Sequence, residues 1–175
     1  MDITAQIRAE TLSSGAPVAY LAPNHPDRAT EDAVIEQAMA ILDRRLSREG
    51  CPSMTDPSTA GRYVKARLAS REREVFLVLF LDCRHRLIAA EEMFHGTFDG
   101  SEVHPREVAR RALALNAGAV ILGHNHPSGH AEPSAADRAV TARLKQALAL
   151  VEVRLLDHFV VAHGEPVSMA ARGWI

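Results

Sequence analysis

The sequence predicts an α/β fold, in which helices flank a mixed β-sheet and a helical extension precedes it. Near-continuous apolar runs such as VFLVLFLD (75–82) are typical of strands that are buried on both faces. From about residue 57, such runs alternate with helical periodicity in the order strand, strand, helix, strand, helix, strand. Residues 1–56 contain an irregular arm and helical periodicity, which indicates the extension.

The N-terminal part divides into an arm and a helix. Residues 1–30 are rich in Ala, Pro, Ser and Asn and show no sustained period. Thr30 is a suitable N-cap for a helix that runs to Gly50. A second helix is expected from about Asp56 to Arg71, after the turn-forming stretch CPSMTDPSTA. We therefore predict an N-terminal arm and helical extension over 1–56 and a second domain over 57–175.

The second domain supplies the sheet. The strand at 75–82 is expected to pair as a hairpin with 86–94 across the turn DCRHR. Pro105 suits the first position of a helix over 104–118. The remaining predicted elements are a strand at 119–124, a helix at 134–150, a strand at 153–162 and a turn at 163–166.

Composition narrows the class of protein. The chain has 175 residues, of which 47% are hydrophobic and 24% charged, as in ordinary globular domains. No apolar run is long enough for a membrane span, and the N-terminus lacks the residue order of a signal peptide, so we expect a cytoplasmic protein. Cys51 and Cys83 are too few for a disulfide scaffold.

Charge gives little support to a nucleic-acid binder. The formal net charge is −2. Residues 1–56 carry 9 acidic and 5 basic side chains, whereas residues 57–175 carry 13 and 15. The second domain is therefore only slightly basic.

One stretch, GHNHPSGHAEPSAAD (123–137), concentrates the side chains that can bind a metal ion. If the strand continues through it, His124 and His126 project to the same side at the strand's exit. Asp137 would lie in the first turn of the next helix, close enough to complete a site of two histidines and one carboxylate. Three protein ligands and an open fourth position are typical of catalytic zinc sites.

The same residues also allow a structural interpretation. Ser134 and Asp137 match the spacing of a helix capping box. Pro127, Ser128 and Gly129 could form a simple turn.

The motif resembles the JAMM signature of MPN-type zinc metalloproteases, on His124, His126, Ser134 and Asp137. The surrounding text, HPREVARRALALNAGAVILGHNHPSGHAEPSAAD followed by LDHFVV, is similar to the RadC family. Asn125 is the RadC-like residue where other JAMM proteins have Ser or Thr. The resemblance covers about Tyr63 to the C-terminus and implies a JAMM/MPN (cytidine-deaminase-like) core.

The resemblance also implies roles for particular residues. His124, His126 and Asp137 would hold one zinc ion per chain. Glu74, which opens EVFLVLFLD, would act as general base on zinc-activated water that attacks an amide carbonyl, in preference to Glu72.

Three further residues are candidates for the same site. By the same resemblance, Ser134 would donate a hydrogen bond to the developing oxyanion. His158 lies in a buried-strand pattern near the site, and Asp157 is a candidate partner for a ligand histidine.

The predicted function is a zinc-dependent metallopeptidase that cleaves a peptide or isopeptide bond in a protein or peptide substrate. The alternative is a DNA repair or DNA-metabolism accessory protein, either a nuclease or a DNA-binding module. RadC-like proteins often carry an N-terminal helix-hairpin-helix region, and residues 1–56 show none, so we expect a shortened member.

The sequence excludes two other classes of zinc enzyme. It leaves the role of residues 1–56 undecided. A nucleobase deaminase requires a Cys-x-x-Cys pair and a helical metalloprotease requires His-Glu-x-x-His, and the sequence has neither. The N-terminal helices can cover the site, form a homodimer or bind a partner.

Overall fold

The computed structural model describes residues 28–46, 54, 56–96 and 103–175. These residues form four helices and five strands. The helices are α1 (Arg28–Leu46), α2 (Pro57–Leu68), α3 (Pro105–Ala114) and α4 (Ala135–Ala149). The strands are β1 (Val75–Leu81), β2 (Leu87–His95), β3 (Ala119–Asn125), β4 (Arg154–Val161) and β5 (Val167–Ser168).

The five strands form one mixed sheet in the order β2-β1-β3-β4-β5. Only β3 and β4 pair in parallel, whereas the other neighbouring strands are antiparallel. Parallel neighbours need a crossover connection, which α4 provides between β3 and β4. The predicted class, a mixed sheet flanked by helices with a helical segment before it, is confirmed.

The sheet is buried on both faces because β1 and β3 are buried at every position. One core lies between the sheet and α2 and includes Ala60, Tyr63, Val64, Leu68, Leu77, Leu79, Ile121 and Phe159. The other core lies between the sheet and helices α3 and α4 and includes Phe76, Val78, Val108, Ala112, Leu122, Leu144 and Leu148. Side chains of β1 alternate between the two cores, as the period of a strand requires.

Helix α2 packs closely against β3 at a glycine. A Cβ atom added to Gly123 would lie 2.4 Å from Cγ1 of Val64, well inside van der Waals contact. The absence of a side chain at Gly123 thus allows α2 to pack closely against β3, directly before His124.

Local capping explains where the helices begin and end. Asp56 is the N-cap of α2, and its carboxylate accepts hydrogen bonds from the backbone of Ser58 and Thr59. The helix ends at Leu68, short of the predicted Arg71. Helix α3 begins at Pro105 as predicted but ends before 116–118, because Asn116 has a left-handed φ of 53°.

The sequence prediction missed β5, which comprises only two residues and so has no periodicity to detect. Helix α1 begins at Arg28, two residues before the predicted N-cap. The arm over 1–27 and the predicted helix end at Gly50 lie outside the described residues.

Contacts separate two compact units, residues 1–34 and 35–175, and the sheet belongs to the second. The predicted domain boundary between residues 56 and 57 stays a prediction. Within the described ranges, no helix is both long enough and apolar enough to cross a membrane.

Candidate metal centre

The end of β3 places two imidazoles side by side. His124 is the second-last residue of β3 and is buried, and His126 is the first residue after the strand. The backbone N–H of His126 donates to the carbonyl of Val161 at 2.8 Å, which keeps the chain extended for one more residue. Nε2 of His124 lies 2.9 Å from Nε2 of His126. The two histidines therefore face the same point, as the sequence predicts.

Asp137 reaches that point from the first turn of α4. Its Oδ1 lies 3.3 Å from Nε2 of His124, and its Oδ2 lies 3.5 Å from Nε2 of His126. One ligand atom from each of the three residues lies within 4.8 Å of the others. The group could hold a metal ion.

Two of the three separations match what a zinc ion requires. With zinc–ligand bonds of about 2.0–2.2 Å, neighbouring ligand atoms of a tetrahedral site lie about 3.3–3.6 Å apart. The two His–Asp separations, 3.3 and 3.5 Å, fall in this range, and the 2.9 Å His–His separation is only slightly shorter. The donor set of two imidazoles and a carboxylate is also one that zinc accepts.

A chain of hydrogen bonds presents the lone pair of His124 to this point. Oγ1 of Thr141 lies 2.5 Å from the carbonyl oxygen of Asp137, so the hydroxyl proton must lie between them. The same Oγ1 then accepts from Nδ1 of His158 at 2.6 Å. Nε2 of His158 consequently accepts from Nδ1 of His124 at 2.8 Å. His124 therefore carries its proton on Nδ1 and its free lone pair on Nε2.

His126 is oriented in the same way by its own loop. Its Nδ1 lies 2.7 Å from the carbonyl oxygen of His130, which can only accept. The ring proton is therefore on Nδ1, and Nε2 is free to coordinate. Each histidine of the candidate metal group thus has its outer nitrogen occupied by a protein acceptor, as metal-ligating histidines usually do.

Electrostatics favour a charged Asp137 carboxylate and a neutral His158 ring. Burial alone raises the pKa of Asp137, but contacts with His124, His126 and Ser134 outweigh it and hold the pKa well below the usual range. The adjacent Asp137 carboxylate raises the pKa of His126. Complete burial lowers the pKa of His158, which keeps this ring neutral. The carboxylate is therefore ionised, the form that binds metal.

Phe76 closes the inner side of the site. Its ring is stacked at 6.3 Å from the ring of His124 and lies edge-on at 5.4 Å from that of His158. The apolar surface allows the histidine rings little freedom to turn.

A cleft of about 750 Å³ opens beside the ligands. Its lining residues are Glu72, Arg73, Glu74, Gly96, His126, Pro127 and Ser128. Glu74, the predicted general base, thus shares the cleft with a ligand histidine, and its negative charge contributes to the raised pKa of His126. Glu72 lines the same cleft but is exposed to solvent.

Ser134 is the N-cap of α4 and forms the capping box with Asp137. Its hydroxyl donates to Oδ2 of Asp137 at 2.6 Å and accepts from the backbone N–H of Asp137 at 3.1 Å. The structural interpretation of this pair therefore holds, alongside the position of Asp137 in the metal group. The predicted donation to an oxyanion stays a prediction.

The two candidate supporting residues of β4 differ in role. His158 contacts His124 directly, as described above. Asp157 faces the other way: its carboxylate accepts from the backbone of Ala170 at 2.9 Å and from the Ser168 hydroxyl at 2.5 Å. Asp157 thus holds the chain after β5 and does not contact a ligand histidine.

Thr141 was not identified from the sequence, and Asn125 was named for the family resemblance without being given a structural role. Thr141 lies one helical turn after Asp137, and this i+4 spacing was the available clue. Asn125 is 4% exposed, and its amide bonds to the segment that carries Glu74. Its position between two candidate ligands marked it, but its contacts depend on the sheet.

Comparison with known proteins identifies the family of the chain. The family model described as RadC-like JAB domain matches residues 54–174. A UPF0758 protein of Xanthomonas campestris pv. campestris (strain 8004) is 58% identical over 143 residues, which are 81% of this chain and 64% of the relative. A UPF0758 protein of Xylella fastidiosa (strain 9a5c) is 64% identical over 143 residues, 82% of this chain and 63% of the relative.

The chain spans just under two thirds of the length of these curated relatives. The family match covers Glu74 and all three residues of the candidate metal group, His124, His126 and Asp137. The chain therefore belongs to the RadC family, and residues 54–174 are its RadC-like JAB domain.

Proposed function

We propose that this domain is a zinc-dependent metallohydrolase that cleaves a peptide or isopeptide bond in a protein or peptide substrate. The observation that carries the proposal is the convergence of His124, His126 and Asp137 within 4.8 Å, beside a cleft that also holds Glu74. Three protein ligands leave a coordination position open for chemistry, whereas a structural zinc site is closed by four.

Each residue has a distinct part in this proposal. His124, His126 and Asp137 would hold the ion, which when bound acts as a Lewis acid and lowers the pKa of water. Glu74 accepts a proton from the attacking water and later delivers it to the leaving amine. Ser134 donates to the oxygen that gains charge, after its hydroxyl turns away from Asp137.

The cleft supports an amide substrate over a nucleic acid. Among its described lining residues, the cleft carries two carboxylates, Glu72 and Glu74, and one guanidinium, that of Arg73. A phosphate backbone would meet net negative charge from these lining residues. The alternative DNA-related function therefore has no supporting observation in the described part of the chain.

The first experiment measures metal content in protein purified without added metal. We expect about one zinc per chain in the wild type, as in other three-ligand catalytic sites, and its loss in His126→Ala and Asp137→Ala. His85→Ala is the matched control, because His85 lies at the opposite end of β1 and contacts Arg154. Wild-type protein that stays metal-free when zinc is offered would refute the proposal.

The second experiment tests the reaction. The zinc-loaded protein is screened against fluorogenic peptides and isopeptide-linked peptides, with Glu74→Gln as the inactive control. Hydrolysis by the wild type and at least a hundredfold loss in Glu74→Gln are expected, within the range of about 10²–10⁴ for general acid–base catalysis. Equal rates in the two proteins would remove Glu74 from the mechanism.

A further inference from the structure

We propose that Asn125 is a positioning residue that fixes Glu74 relative to the metal ligands; this inference rests on the proposed role of Glu74. The side-chain amide of Asn125 makes three hydrogen bonds. Its Oδ1 accepts from the backbone N–H of Val75 at 2.8 Å. Its Nδ2 donates to the carbonyls of Arg73 at 2.9 Å and Arg71 at 3.1 Å.

Two of these bonds enclose Glu74. The carbonyl of Arg73 and the N–H of Val75 belong to the peptide groups on either side of residue 74. Fixing both groups fixes the backbone dihedral angles of Glu74, and with them the direction in which its side chain leaves the backbone. On the opposite side, the carbonyl of Glu74 accepts from the N–H of Gly96 at 2.8 Å. The residue is thus held from both sides.

The side-chain amide of Asn125 bonds to the backbone of β1 beyond the point where the backbone pairing between β1 and β3 ends. The ladder between β1 and β3 ends with Phe76 opposite His124. Beyond it, the backbone turns to β4, where the N–H of His126 donates to Val161. The side chain of Asn125 continues the pairing toward β1 in its place. The end of β3 therefore forms hydrogen bonds with both of its neighbouring segments, β4 and the residues at the start of β1.

Only a primary amide of this length meets the demands of the site. Asn125 is 4% exposed, so each of its polar groups needs a partner within the protein. An asparagine supplies two N–H donors and one acceptor, which are the three groups used here. An aspartate would place negative charge against the carbonyls of Arg71 and Arg73, and a serine would supply one donor at most.

The location of Asn125 makes these bonds relevant to catalysis. It lies between His124 and His126, so a single residue links the metal ligands to the backbone of the general base. A misplacement of a reacting group by about 1 Å costs on the order of a hundredfold in rate. The side chain itself does not line the cleft. We therefore expect it to act through the backbone of Glu74.

A double-mutant cycle between Asn125 and Glu74 tests whether Asn125 acts by positioning Glu74. We expect Asn125→Asp and Asn125→Ser to lower kcat on the fluorogenic peptide by about 10- to 100-fold, with KM and zinc content unchanged. In the Glu74→Gln background, the same substitutions should cause no further loss. Equal losses in both backgrounds would overturn the proposal, as would loss of zinc from either variant. Serine is the second variant because it keeps the strand free of new charge if aspartate prevents folding.

A measurement without turnover separates this inference from the proposed activity. In the Co²⁺-loaded protein, we expect Glu74→Gln to move the pH midpoint of the visible absorption spectrum. Asn125→Ser should move it in the same direction, with no further change in the double variant. If this holds while the wild type hydrolyses no amide, positioning stands and the proposed hydrolase fails. If Asn125→Ser leaves the midpoint unchanged while Glu74→Gln moves it, the positioning role is overturned.

Discussion

Nε2 of His158 lies 2.8 Å from Nδ1 of His124, on the side of the imidazole that faces away from Asp137. Both rings are almost fully buried, with exposed fractions of 0% and 1%. Thr141 completes the chain by a 2.6 Å bond to Nδ1 of His158. The hydroxyl of Thr141 on α4 thus determines, through His158, which nitrogen of His124 carries the proton.

Removing the Thr141 hydroxyl should weaken metal binding. Thr141→Val keeps the shape but leaves Nδ1 of His158 without its acceptor, so the chain no longer fixes the proton of His124 on Nδ1. We expect about 10- to 100-fold weaker zinc affinity, measured by competition with a chelator. Thr141→Ser keeps the hydroxyl and should bind as the wild type does. Equal affinity in the valine and serine variants would contradict this chain.

Zinc should stabilise the folded domain through Asp137. A ligand that binds only the folded state at 100 times its Kd adds about 2.7 kcal/mol to the free energy of unfolding. The melting temperature of the metal-free protein is expected to rise on addition of zinc, and a chelator should reverse the rise. Asp137→Asn, which keeps the size of the side chain, should abolish most of the shift. A shift of the same size in this variant would show that zinc binds elsewhere.

A methyl group at Gly123 should destabilise the domain. Gly123→Ala brings a Cβ to 2.4 Å from Cγ1 of Val64, and overpacking of this kind costs about 1–3 kcal/mol. The cost should appear as a lower urea midpoint for unfolding. In Val64→Ala, the clash is absent, so the added cost of Gly123→Ala should be much smaller. Additive effects of the two substitutions would exclude this contact as the cause.

The N-cap of α2 should contribute a pH-dependent stability. Hydrogen bonds from Thr59 and Ser58 lower the pKa of Asp56 to about 2. Because the folded pKa is depressed, the contribution is present above the unfolded pKa, near 3.8, and is lost as pH falls through about 2. The stability difference between the wild type and Asp56→Asn, measured by urea unfolding, should shrink over this window. A difference that stays constant from pH 5 to pH 2 would argue against it.

The sheet and the metal group could be predicted from local patterns. Apolar runs such as 75–81 mark strands that are buried on both faces, and a His-x-His at a strand end fixes which side the imidazoles take. A carboxylate in the next helical turn needs only a short loop to reach them. These features depend only on residues that are close together in the sequence, so local patterns are enough to predict them.

The supporting contacts could not be predicted because they depend on pairing between strands. A register shift between Val120 and Ile121 of β3 leaves Leu156 of β4 as an extra residue. This bulge reverses which of the next residues, Asp157 or His158, faces the metal group. Alternation counted from the start of the strand therefore gives no answer. The contacts of Asn125 likewise become apparent only when β1 lies beside β3.

The parallel unit formed by β3, α4 and β4 has a consequence for how this domain can evolve. All three candidate ligands, together with Thr141 and His158, lie between Ala119 and Val161, whereas Glu74 lies on another part of the chain. The candidate ion-binding group and the proposed general base therefore come from separate parts of the chain, which the side chain of Asn125 connects. Substitutions at one or two positions around residue 74 could therefore remove the proposed acid–base role while leaving all three candidate ligands unchanged.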